Sequence, residues 1–155
     1  MAGYTLRKMT VQDYEWVYQI KKDAFKKYIV ENWGSWDAAI QREYFSHFVE
    51  KYRNNLWIIC VNNTDVGFFA GNVVGNGNYH IGTIVIIPEY QHQGIATQVL
   101  RDVVRRNNKR NIEVKYFKRN PIGDLYKKLG FVDHGETKYH YHAVKWNKEH
   151  FDEEH

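Results

Sequence analysis

Between Ile84 and Leu100 the chain reads IVIIPEYQHQGIATQVL, an apolar run that turns directly into a helical pattern. The run Ile84–Ile87 reads as a buried strand, and Pro88, which has no backbone N–H, ends it. From Gly94 the period changes: Ile95, Ala96, Val99, Leu100, Val103 and Val104 form one apolar stripe. Gln98, Arg101, Asp102 and Arg105 point elsewhere on that helix. A helix that starts straight after a buried strand exposes backbone N–H groups with no partners of their own and carries partial positive charge. Phosphate binds at such a terminus without needing a lysine. Gly94 lets a ligand come close to the main chain, Ala96 adds little bulk, and Gln91, His92, Gln93 and Thr97 supply polar side chains around the turn. Unpaired N–H and C=O groups on the preceding strand can hold an extended, amide-bearing ligand as an added strand.

The rest of the chain supplies the surroundings for this unit. TLRKM reads as a first strand, and Thr10 as the cap of a helix in which Val17, Ile20, Ala24 and Tyr28 fall at helical spacing. VENWGSW interrupts that pattern, and Ser35 is placed to cap a second helix whose Ile40, Tyr44 and Phe48 repeat at i, i+4, i+8. NLWIICV and VGFFAGNVV read as strands joined by the turn residues Asn62, Asn63, Thr64 and Asp65, and GNGN (75–78) marks another hairpin turn. After the central helix comes the strand NIEVKYF. Asn120-Pro121 then opens a short helix that Gly130 closes. FVDHGETKYHYHAVKW reads as a final hairpin. The expected order is strand, two helices, a three-strand meander, helix, strand, helix and two strands. That is an α/β or α+β layer of sheet with helices on its faces.

At 155 residues one domain over 1–148 is expected, with a loose tail at 149–155. The formal net charge of +4 fits an anionic small molecule as readily as nucleic acid. Aromatic residues make up 16% of the chain, and Tyr and Trp dominate them; both suit pocket walls, having an apolar body and a polar tip. Cys60 is the only cysteine, so no disulfide joins two parts of the chain, and its apolar run LWIICV suits a packed thiol. The N-terminus has no apolar signal region and no window approaches a membrane span, so a cytoplasmic protein without a membrane partner is expected.

PEYQHQGIATQVL after an apolar strand resembles the cofactor segment of the GNAT superfamily, the acyl-CoA-dependent N-acyltransferases. In that family a Gln/Arg-x-x-Gly-x-Gly/Ala loop holds the pyrophosphate of coenzyme A. NPIGDLYKKLGF (120–131) resembles the family's second segment in its Asn-Pro start, Leu-Tyr pair and Leu-Gly-Phe end. The two matches cover about the C-terminal half. ENWGSWDAAIQREYF resembles a Trp/Gly-rich stretch of some bacterial-type members. The resemblance implies a single mixed, mostly antiparallel central sheet with helices on both faces, and acetyl-CoA as co-substrate with no metal. It also implies that backbone groups of Ile84, Val85 and Ile86 bind the pantetheine arm and polarise the thioester carbonyl. His92, Gln93, Gly94, Ile95, Ala96 and Thr97 would hold the pyrophosphate, Asn120 would contact the cofactor, and Tyr126 would stand by the sulfur. Ala96 replaces the commoner glycine, and Gln91 stands where arginine is frequent.

Acetyl transfer needs a neutral amine, a stabilised oxyanion and a proton for the leaving thiolate. Tyr126 is the candidate acid, since a phenol with a reference pKa of about 10 is protonated at neutral pH. Its spacing beside Ile122, Leu125 and Leu129 suits packing as well. Asn120 equally suits a helix cap. His80, which shares strand parity with Ile84 and Ile86, is a candidate base beside Glu31, Asp37 and Glu43. By family analogy Trp33, Trp36 and Gln41 lie at the acceptor site, though the tryptophans equally suit helix packing. His140 and His142 alternate on one strand with His134 nearby, but no third metal ligand follows at a suitable spacing. The basic run RRNNKRN (105–111) suits a solvated helix end first, and also a nucleic-acid contact or the adenosine phosphate of coenzyme A, between which the sequence does not choose. The expected activity is transfer of acetyl from acetyl-CoA to a primary amine of a small molecule or peptide by direct attack. The rivals are a non-catalytic acyl-CoA sensor of the same fold and, less well supported, a nucleic-acid-binding domain. Homodimerisation through the C-terminal hairpin is left open.

Overall fold

A computed structural model of the protein describes residues 3–147. The tail expected to be loose at 149–155 lies outside them. The elements are β1 (Thr5–Lys8), α1 (Tyr14–Trp33), α2 (Ala38–Lys51), β2 (Leu56–Val61), β3 (Thr64–Val73), β4 (Tyr79–Ile86), α3 (Ile95–Arg106), β5 (Ile112–Phe117), α4 (Ile122–Lys128), β6 (Val132–Glu136) and β7 (His140–Lys145). Single turns of 3-10 helix at Val11–Asp13 and Pro88–Tyr90 complete the series. This is the order expected from the sequence. The strands form one seven-stranded mixed sheet in the order β1-β2-β3-β4-β5-β7-β6. β4 and β5 run parallel, because the connection between them contains α3, whereas β1–β2, β2–β3, β5–β7 and β6–β7 are antiparallel. Among the described residues no helix is long and apolar enough to cross a membrane.

The chain divides into two compact units. The first holds the residues up to Ala70 together with Thr83–Ala96. Its core joins Val17, Tyr18 and Ile20 of α1, Phe45 of α2, Tyr52, Leu56 and Ile58, Phe68 and Ala70 of β3, and Val85 of β4. Phe45 is the pivot of an aromatic layer, with the Tyr14 and Tyr18 rings meeting it edge-on at 4.9 and 5.3 Å. Phe48 continues the layer to Tyr52 and, edge-on at 6.3 Å, to Phe68.

Three local expectations are corrected in this unit. α1 runs through Val30–Trp33 and stops only at Gly34, whose N–H bonds the carbonyl of Val30. Asp37, not Ser35, caps α2, its carboxylate accepting from the N–H of Ile40 at 3.1 Å. The buried face of α2 carries Phe45 and, partly, Phe48 and Val49, while Ile40 and Tyr44 are 46% and 62% exposed. An i, i+4 repeat fits two adjacent stripes on one helix, and the aromatic partners on α1 select the stripe through Phe45.

The second unit holds Gly71–Gly82 together with Thr97 onward. Val99, Leu100 and Val103 of α3 are buried, as are Ile112, Val114 and Tyr116 of β5, Tyr126 of α4, and Ala143 of β7. The stripe read from the α3 sequence is therefore the buried one. Asn62 and Asn63 alone make the β2–β3 turn, both in the left-handed region (φ 50° and 63°), and Thr64 and Asp65 already belong to β3.

Candidate cofactor and catalytic site

β4 pairs in register with β5 from Tyr79 to Ile81 against Ile112 to Val114. The strand then continues five residues past that register, to Ile86. Ile84, Val85 and Ile86 are buried. On the β3 side the main chains come close together: a Cβ on Gly67 would overlap the Val85 carbonyl oxygen and stand 3.1 Å from Ile86 Cα. Only glycine permits that approach. The N–H of Ile87 donates to the Val66 carbonyl at 2.9 Å and fastens the end of the strand.

The turn after the strand is held from within. Gln91 donates from Nε2 to the Ile86 carbonyl at 2.8 Å, so the side chain standing where arginine is frequent is bound to the strand end. Gln93 donates to the Glu89 carbonyl at 3.3 Å. His92 and Gly94 have φ of 62° and 83°, two left-handed residues within three positions. Such a conformation in histidine costs about 1 kcal/mol or more and concentrates at functional turns. α3 begins at the next residue, Ile95, which is buried; Ala96 and Thr97 in its first turn are half-buried. The first unit thus brings together the strand residues Ile84–Ile86 and the turn residues His92–Ala96.

The second unit holds the other expected residues. Asn120 caps α4, its Oδ1 accepting from the N–H of Ile122 at 3.0 Å. Tyr126 is 2% exposed, its ring 5.7 Å from Tyr116 and 5.3 Å from Phe131. Burial, and secondarily Tyr116, push its hydroxyl well above the ordinary tyrosine range, so it stays protonated. Packing is therefore fully developed at Tyr126, as at Asn120 is capping. His80 Nδ1 lies 3.3 Å from Glu113 Oε1, a carboxylate that sequence reading passed over and that strand pairing sets opposite it. His80 stands four residues before Ile84 on β4.

Asp37 is committed to capping α2, and Glu31 and Glu43 are exposed. The Cys60 thiol is pushed up by burial and by Asp65, to whose carboxylate it donates at 3.3 Å; this is the setting of an unreactive thiol. His140 stacks on Phe117 at 4.4 Å, and burial, Lys115 and His142 lower its pKa. Among the described residues no group of three or more His, Cys, Asp or Glu is placed to hold a metal ion. Trp33 ends α1 at 52% exposure, and Gln41 lies half-buried in α2. Trp36 packs against the aromatic core with its indole N–H buried and without an acceptor.

Sequence reading missed Gly67 and Lys21. A lone glycine inside the strand pattern VGFFA signals close backbone approach. A lysine four residues after Val17 and four before Phe25 interrupts an apolar face.

The fold is shared with solved structures, acetyltransferases among them. PH1933 from Pyrococcus horikoshii OT3 superposes with a TM-score of 0.75 at 18% identity, covering 94% of this chain and 99% of its own. PaiA N-acetyltransferase from Thermoplasma acidophilum, solved with coenzyme A, gives 0.67 at 14% identity over 93% and 99% of the two chains. A GNAT-family acetyltransferase from Bacillus anthracis gives 0.67 at 22% over 93% and 95%. At these identities the likeness is one of fold. No curated protein matches the chain. The acetyltransferase (GNAT) domain model matches residues 52–133, more than half the sequence and the whole of the strand, turn and helix segment, and the chain therefore belongs to the GNAT acetyltransferase family.

Proposed function

We propose that the protein transfers acetyl from acetyl-CoA to a primary amine by direct attack. The observation that carries this reading is β4 running past its β5 register straight into the left-handed turn at the head of α3. Strand edge, turn and helix terminus suit the amide-bearing arm and the pyrophosphate of coenzyme A respectively. Ile84, Val85 and Ile86 would hold the arm through backbone groups. His92, Gln93, Gly94, Ile95, Ala96 and Thr97 would hold the pyrophosphate through N–H groups, Gly94 leaving room for it. When bound, acetyl-CoA supplies an activated acetyl group as a thioester with a thiolate leaving group.

The chain's own residues would serve that transfer in distinct ways. Backbone N–H at Val85 and Ile86 would stabilise the oxyanion without moving. Tyr126, protonated well beyond neutral pH, would give its proton to the leaving sulfur. Asn120 would contact the cofactor while capping α4. His80, oriented by Glu113, would take up the amine proton through water. The raised pKa of Cys60 offers no nucleophile for a covalent route.

Calorimetric titration with acetyl-CoA, beside a Gly94→Glu variant, tests the reading. Binding to wild type that is lost in the variant supports it, because the new carboxylate stands where the pyrophosphate belongs. Thiol release with an amine library then separates transferase from sensor. No binding by wild type overturns both.

A further inference from the structure

Both buried residues of α4, Gly123 and Tyr126, rest on a single side chain of β5, that of Tyr116. They stand three positions apart and so share one face of the helix. The Tyr126 ring lies 5.7 Å from the Tyr116 ring. A Cβ on Gly123 would come within 2.6 Å of Tyr116 Cε2 and 2.9 Å of its hydroxyl oxygen, so the main chain of α4 lies directly on that ring. The Tyr116 ring is itself held at its far end. Its hydroxyl donates to Asp133 Oδ1 of β6 at 3.0 Å, and the other carboxylate oxygen lies 3.8 Å from Lys127 Nζ of α4. Burial, and then the bond to Asp133, push the Tyr116 hydroxyl up to about 12, so it remains a donor to the carboxylate across the neutral range. Tyr141 closes the flank with its ring at 5.8 Å. A tyrosine ring turns about two side-chain torsions, and a bond at the hydroxyl fixes both. On its other side Tyr126 meets the Phe131 ring at 5.3 Å, and the N–H of Phe131 donates to the Tyr126 carbonyl at 3.0 Å.

We propose that Tyr116 and Asp133 are positioning residues for acetyl transfer: their hydrogen bond sets where α4 rests on β5, and thereby where the Tyr126 hydroxyl stands. The inference rests on the transferase reading with Tyr126 as proton donor. Neither Tyr116 nor Asp133 enters the group transfer itself. The amine nitrogen bonds the acetyl carbon, the carbon–sulfur bond breaks, and the sulfur gains the Tyr126 proton, which the proton given up by the amine replaces. The Tyr116 proton stays on its bond to Asp133 throughout. Without that bond the ring is free to turn, and the helix seated on it shifts. A misplacement of about 1 Å at a reacting group costs on the order of a hundredfold in rate, and the loss of one tether gives part of that.

The test is a double-mutant cycle on thiol release from acetyl-CoA. The acceptor is whichever amine wild type acetylates fastest in a panel of polyamines, free amino acids and short peptides. Tyr116→Phe keeps the ring and removes the hydroxyl. It is expected to lower kcat about tenfold and to leave KM for acetyl-CoA within about twofold. In a Tyr126→Phe background the same substitution should change kcat by about twofold at most, because no hydroxyl is left to misplace; a merely structural loss would multiply the two effects. Asp133→Ala should repeat the fall, and Asp133→Asn, whose amide oxygen still accepts from Tyr116, should recover most of it. Wild-type kcat in Tyr116→Phe and Asp133→Ala overturns the inference. So does a fall that persists in full beside Tyr126→Phe, or one as deep in Asp133→Asn as in Asp133→Ala. If Tyr116→Phe does not fold, the two Asp133 variants, each in both backgrounds, decide the matter alone. Wild-type kcat in Tyr126→Phe removes the acid role and this inference with it, and leaves the transferase reading standing. Failure to bind acetyl-CoA, or no turnover with any amine of the panel, removes the transferase reading itself.

Discussion

The Val85 carbonyl lies against Gly67 so closely that the hydrogen on Gly67 Cα is the largest substituent the site admits. Gly67→Ala must push the β3 and β4 main chains apart at Val85 and Ile86, since neither contact is the end of a flexible side chain. Overpacking of this kind costs roughly 1–3 kcal/mol. We expect a lower unfolding midpoint and weakened acetyl-CoA binding by titration. Gly75→Ala, where an added Cβ meets nothing within 4 Å, serves as the control and should bind as wild type does.

Tyr126 combines full burial with a hydroxyl kept protonated. Tyr126→Phe keeps the ring packing against Tyr116 and Phe131 and removes only the hydroxyl. The expected result is a fall in kcat of about a hundredfold or more, the usual scale for losing a general acid, with little change in melting temperature. Because the folded pKa is raised, kcat should show no loss assignable to this hydroxyl until pH passes the ordinary phenol value of about 10. A loss beginning near neutrality that disappears in Tyr126→Phe would contradict this.

Arg7 bridges Asp13 at 2.8 Å and Asp65 at 2.8 Å, tying β1 to the start of α1 and to β3. The Arg7 guanidinium is the main cause that holds the Asp13 carboxyl down at about 2. A lowered folded pKa gives stability that is complete above the unfolded value near 4 and disappears as pH falls toward 2. Asp13→Asn should cost about 1–2 kcal/mol at neutral pH and flatten the acid side of the stability curve between pH 4 and 2. Urea unfolding at a series of pH values measures it.

Lys21 gives the opposite pH signature. Its folded pKa of about 8 lies below the ordinary lysine value, so the unfolded chain binds the extra proton between about pH 8 and 10. Wild-type stability should therefore gain a rising component in that window. Lys21→Met should be about 1–2 kcal/mol more stable at neutral pH, with the difference shrinking as pH rises through the window. A difference that does not change with pH would mean that the ammonium is not desolvated where it sits.

The element order and much of the site turn were legible in the sequence because their signals are local. The α3 stripe repeats within a few residues, Asn62-Asn63 demands left-handed backbone wherever it stands, and a glycine after an apolar strand marks the head of a helix whatever packs on it. Tertiary structure alone decided the rest. Ile40 and Phe45 both sit at helical spacing on α2, and only Tyr14 and Tyr18, far away in sequence, determine that Phe45 turns inward. Gly67 acquires its meaning from a carbonyl eighteen positions on, and Lys21 from a Phe48 ring twenty-seven positions on. Periodicity and turn chemistry are properties of neighbouring backbone torsions. Which faces meet, which charge is left without a partner and how near two strands can come are properties of packing, and packing joins residues that no local pattern connects.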